Sequence, residues 1–79
     1  MCYHKTEIEK GIFGEFSKIK EEFLEAQDAL EQNNHIMLLF ELSDLLGAID
    51  AYVGKFKLTL DDLIIMKNAT KSAFEDGSR

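Results

Sequence analysis

The segment from His35 to Val53 constrains this chain most. It carries Ile36, Met37, Leu38, Leu39, Phe40, Leu42, Leu45, Leu46, Ala48, Ile49, Ala51, Tyr52 and Val53 with few polar interruptions. A segment of this length reads as a helix, and a helix that is apolar almost all round needs cover on several sides. A chain of 79 residues has little surface of its own to provide that cover, so self-association is expected.

The flanking segments supply the rest of the architecture. Upstream, Ile12, Phe16, Ile19, Phe23, Ala26 and Leu30 alternate steps of four and three, the mark of a one-faced amphipathic helix. Gln32-Asn33-Asn34 then interrupts the pattern with residues that favour turns and caps, which predicts an antiparallel helix hairpin. Gly54 supplies a stop for the second helix, and 55–58 reads as a short connection. Thr59 followed by Asp62 is a capping-box pattern that opens a third helix, with Gly77 as its end. Residues 1–11 lack a sustained period and read as an irregular arm ending at Gly11. The expected fold is therefore all-α: a single domain over 1–79, with a hairpin and a third helix that assemble into a multi-helix bundle by oligomerisation.

Composition narrows the function classes. A net charge of -6 lacks the basic excess that drives binding to nucleic-acid phosphates, so duplex binding is not expected. The single cysteine, Cys2, cannot close an internal disulfide. Cys2 and His4 lack the further ligands a zinc site needs. The longest apolar run, 36–40, is too short to span a bilayer, and the polar start has no signal-peptide pattern. A soluble, cytoplasmic protein is the expectation.

The acids carry the chemistry. Glu41 and Asp44 interrupt a helix that ought to be buried, and unpaired buried charges are costly, so they need a compensating partner. Glu22 and Glu25, like Glu41 and Asp44, are spaced three apart and project from one side of their helix. In a hairpin centred on Asn33, residues whose numbers sum to 66 lie level, so Glu25 faces Glu41 and Glu22 faces Asp44. Four converging carboxylates without His or Cys suit a hard divalent cation, Mg²⁺ or Mn²⁺. A di-iron bundle is disfavoured by the missing Glu-x-x-His pattern. Glu21, Asp28 and Glu31 read instead as a solvated face. Phe13, Phe16, Phe23 and Phe40 are candidates to stack a base, but their core spacing reads as core, and His35 reads as a helix-start residue.

Glu21-Glu22-x-x-Glu25, a gap of fifteen residues, then Glu41-Leu42-Ser43-Asp44 resembles the EExxE…ExxD signature of the MazG-like nucleotide pyrophosphohydrolases, over roughly residues 13–79. The resemblance implies an all-α, Mg²⁺-dependent enzyme. Such an enzyme hydrolyses nucleoside or deoxynucleoside triphosphates between the α and β phosphates, giving monophosphate and pyrophosphate. By position it implies Glu22, Glu25, Glu41 and Asp44 as metal ligands, with Glu22 or Glu25 doubling as general base. For Glu21 it leaves open a role in orienting water or its neighbours. It also implies a homodimer or homotetramer whose sites draw on neighbouring subunits. The chain is short for the family, and the wording of the related phosphoribosyl-ATP pyrophosphatase motifs is not matched.

In the third helix Lys67 and Lys71 fall on the face that also carries Leu60, Leu63, Ile64 and Phe74. Lysines there are candidates to reach substrate phosphates, with Asn68 as a hydrogen-bond donor beside them, although lysine stems also commonly cover apolar surface. Asp50 lies roughly opposite Glu41 and is assigned to a subunit contact. The competing reading is a non-catalytic acidic helical dimer that binds a basic partner.

Overall fold

The computed structural model describes residues 7–77, so Cys2, His4 and Arg79 lie outside it. The described residues form α1 (Phe16–Glu31), α2 (His35–Val53), a 3₁₀ turn (Gly54–Phe56), α3 (Leu60–Ala69) and α4 (Lys71–Glu75), with no strand among them. The all-helical class and the hairpin agree with the sequence. Asn33 takes a left-handed φ of 58°, which its short side chain tolerates. Asn34 then caps α2 by accepting the Met37 N–H at 3.1 Å.

Two boundaries differ from expectation. The first helix starts at Phe16 rather than Ile12, because Ile12–Glu15 closes a turn through the Glu15 N–H and the Ile12 carbonyl at 2.9 Å. Gly14 takes the positive φ of 89° at its third position, where a type II turn favours glycine. The third helix is two helices, broken at Thr70, whose backbone leaves the helical region and whose hydroxyl donates to the Met66 and Lys67 carbonyls. Its start is as read: Thr59 and Asp62 form a reciprocal capping box. Asp50 is the correction there. It accepts the Leu60 N–H at 2.9 Å within the same chain, bracing α3 against α2.

Packing is dominated by α1 against α2, while α3 touches α2 and α4 but not α1. The radius of gyration is 14.2 Å, against about 12 Å for a compact globule of this length, so the fold is open. Its buried apolar residues are small: Ala26 and Ala29 of α1, Ala48 and Val53 of α2. The large side chains point outward, among them Ile36, Leu39, Phe40 and Leu46 of α2 and Phe16, Phe23 and Leu30 of α1. The four phenylalanines read as core are therefore exposed within the chain, although Phe16 meets the Tyr52 ring edge-on at 5.5 Å.

This seam of small residues gives a testable contrast between neighbours. Gly47 has open space where a Cβ would go, so Gly47→Ala is expected to stabilise by about 0.5–1 kcal/mol through helix propensity. Ala48 is 3% exposed, so Ala48→Leu is expected to cost about 1–3 kcal/mol by overpacking. Urea denaturation of both variants measures the difference; equal effects would contradict the seam.

Candidate metal centre

Four acids are buried in the hairpin: Glu21, Glu22 and Asp28 of α1 and Glu41 of α2. Glu22 stands at the centre, shared by two groups of carboxylates. Glu21, Glu22 and Glu25 form one, and Glu22, Glu41 and Asp44 the other; in each, one oxygen per residue lies within 4.8 Å of the others. An octahedral Mg²⁺ holds its oxygens about 3–4 Å apart, so small side-chain adjustments bring either group onto one ion. The register drawn from Asn33 thus brings Glu22, Glu41 and Asp44 together across the helices, while Glu25 joins Glu22 along α1 and lies close enough to Glu41 to feel its charge.

Burial departs from the sequence reading in two directions. Asp44 is exposed, because α2 turns its side of that residue towards a solvent-open pocket of about 360 Å³. Glu21 and Asp28 are buried, not solvated, whereas Glu31 is exposed as expected. Glu21 is held by local donors: its Oε1 accepts the Gly11 N–H at 2.8 Å and the Lys18 ammonium at 3.1 Å. Lys18 also pairs with Glu22 Oε2 at 3.1 Å. That leaves Glu22 Oε1 buried with no hydrogen-bond partner, the one such side-chain atom among the described residues. A buried carboxylate oxygen without a donor is unfavourable unless something electropositive meets it. The all-oxygen donor set around it fits a hard divalent cation.

The electrostatics follow from the crowding. Burial, the hydrogen bond to Glu21 and the charges of Glu22 and Glu41 push the Glu25 carboxyl up to about 8. Burial would raise Glu21 as well, but the Gly11 N–H and Lys18 outweigh it and hold that carboxyl below its ordinary value. The proton of the pair thus resides on Glu25, which donates to Glu21. Lys18 is raised by its bonds to Glu22 and then Glu21, so it stays charged.

The pocket beside this centre is lined by Phe13, Lys18, Glu22, Ser43, Asp44, Gly47 and Ala48. Lys67, Asn68 and Lys71 do not line it: all three are exposed, and Lys67 donates to Asn68 at 3.0 Å. The helix spacing that placed Lys67 and Lys71 on one face does not survive the break at Thr70. Within one chain, the pocket cation is Lys18 and the pocket aromatic is Phe13. For Lys18 the sequence offered only its position three and four residues before two glutamates; Phe13 it offered as one of four aromatics able to stack a base but read as core. No protein-family model, curated protein or solved structure matches this chain.

The raised Glu25 sets a pH dependence. Between its ordinary value of 4.5 and about 8, the folded chain keeps a proton that the unfolded chain has lost, so stability falls as pH rises through that window. Glu21 acts oppositely, and its contribution is lost on acidification. Thermal denaturation in EDTA is expected to show Tm declining from about pH 5 to about pH 8, with the decline removed in Glu25→Gln. Mg²⁺ is expected to restore Tm at the alkaline end, where its ligands are deprotonated. An unchanged decline in Glu25→Gln would show that another group controls it.

Proposed function

We propose that the chain is a Mg²⁺-dependent nucleoside triphosphate pyrophosphohydrolase of the MazG-like type, with Mn²⁺ as an alternative ion. The observation that carries this reading is the orphaned, buried Glu22 Oε1 at the junction of two carboxylate groups, beside an open pocket. Glu22, Glu25, Glu41 and Asp44 would supply the oxygens that hold the ion. An ion held there would supply Lewis-acid polarisation of a phosphate and a lowered pKa for its bound water.

The chain's own groups divide the remaining work. Glu22 or Glu25 would take the proton of the attacking water, Glu25 only once the bound ion has displaced the proton that burial and the neighbouring acids hold on it. Lys18, held in place by Glu21 and Glu22, faces the pocket as a fixed positive charge for the phosphate chain. Ser43 adds a hydroxyl to the same wall.

A second copy of the chain completes the proposal. Large apolar side chains lie exposed along α2 while only small ones are buried, and that surface is the one a homodimer or homotetramer would cover. Lys67, Asn68 and Lys71 lie on α3 and α4, away from α1, so they serve a phosphate only if a neighbouring subunit brings them to it.

The test is release of pyrophosphate from a panel of nucleoside and deoxynucleoside triphosphates, with Mg²⁺ or EDTA. Metal-dependent release is expected, reduced at least about a hundredfold in Glu41→Gln and Asp44→Asn with folding retained by circular dichroism. Folded protein that neither turns over the panel nor binds Mg²⁺ or Mn²⁺ would refute the enzyme and favour an acidic interaction module. Light scattering is expected to give a multiple of the chain mass.

A further inference from the structure

Phe13 is 73% exposed, an unusual state for a large ring in a turn that is otherwise firmly anchored. Two successive amides fix that turn to α1: the Gly11 N–H donates to Glu21 Oε1 at 2.8 Å, and the Ile12 N–H donates to Ser17 Oγ at 3.0 Å. The approach is so close that a Cβ on Gly11 would collide with the Ser17 carbonyl. The corner that follows, Ile12–Glu15, is closed by its own hydrogen bond. Phe13 sits at that corner and forms part of the pocket wall, with Glu22 and Asp44 among the other lining residues.

Glu21 differs from the other acids of the centre. Its Oε1 is already committed to a backbone N–H and an ammonium, and it is absent from the pocket lining that includes Glu22 and Asp44. We propose that Glu21 is a positioning residue: its carboxylate clasps the Gly11 N–H and thereby seats Phe13 as the stacking wall for the nucleobase, while Glu22 and its partners engage the phosphates. This rests on the nucleotide reading above and assigns the base-binding element of the same pocket. A fixed aromatic face recognises a base through its π-surface, so it favours nucleotides over inorganic polyphosphate without strong preference among bases.

The chain contains no tryptophan, so Phe13→Trp places a single emission reporter on the pocket rim. In the presence of Mg²⁺, an α,β-imido deoxynucleoside triphosphate is expected to quench that emission, whereas inorganic tripolyphosphate binds without quenching. Phe13→Ala is expected to weaken the imido nucleotide about ten- to a hundredfold and tripolyphosphate hardly at all. In the Phe13→Trp background, Glu21→Ala and Gly11→Ala should both abolish the quenching, the second without any change of charge. Glu21→Gln should retain it, because the amide oxygen accepts the same N–H.

Amide hydrogen exchange at residue 11 reads the clasp without any ligand: protected in the parent chain and Glu21→Gln, unprotected in Glu21→Ala. If Glu21→Ala leaves both protection and quenching intact, the clasp is wrong. Loss of Mg²⁺ binding in Glu21→Gln would make Glu21 a metal ligand and overturn the assignment. If the imido nucleotide binds but does not quench the reporter, the base wall fails while the enzyme reading stands. If Mg²⁺-loaded protein binds no nucleotide, the enzyme reading fails and the base wall with it.

Discussion

Burial of carboxylates between α1 and α2 is the constraint around which this structure is arranged. Glu21, Glu22 and Glu41 are buried together with Ala26, Ala29 and Ala48, so the fully buried part of α1 and α2 consists of small side chains and acids, while Leu24, Leu38 and Leu45 are only half-buried. An arrangement of that kind gains little from hydrophobic burial and must answer the desolvation of each charge. It does so unevenly. Lys18 answers Glu21 and half of Glu22, a proton answers Glu25, and the second oxygen of Glu22 is left without a donor. A chain that places its least satisfied atom where three helix-borne carboxylates converge has put strain at the place where a cation would relieve it.

The large apolar groups of the same helices face outward. Only small apolar residues are fully buried in α1 and α2, and Phe23 and Leu30 on α1 and Leu39, Phe40 and Leu46 on α2 are exposed. An exposed apolar surface of that kind is costly in water. The buried acidic cluster and the exposed apolar surface are thus two sides of one arrangement. Acids take the inside of the hairpin, and the large apolar groups are displaced to its outside.

Where the sequence was legible, the signal was local or strictly periodic. The bounds of α2, the Asn33 turn, the Asn34 cap and the Thr59–Asp62 capping box each depend on residues within one turn of one another. The meeting of Glu22 with Asp44 followed from a single turn position and the regular rise of two helices, whereas Glu41, expected level with Glu25, groups with Glu22. The failures share a different origin. Periodicity made Phe16, Phe23 and Leu30 the inner stripe of α1, but it cannot tell a stripe that packs within the chain from one that packs outside it. Glu21 looked solvated because its partner is a main-chain N–H from a segment with no period at all. Asp50 was read as a subunit contact because the group it satisfies within the chain is likewise a main-chain N–H, ten residues on. Thr70 ended a helix through its hydroxyl, a bond that competes with helical geometry without changing the hydrophobic pattern.

These misses bear on how an acidic signature should be interpreted. Five acids in a pattern look equivalent as letters, yet their surroundings separate them into distinct physical states. Glu21 is fully coordinated by the chain, Glu25 carries a raised proton affinity, Glu22 is half satisfied, and Asp44 is open to solvent. A cation entering this cluster meets a graded set of oxygens. It would gain most from Glu22, whose free oxygen competes with no donor, and least from Glu21, whose Oε1 would have to give up the Gly11 N–H and the Lys18 ammonium. The division between acids that bind and acids that hold the fold is therefore set by which carboxylates the backbone and Lys18 reach first.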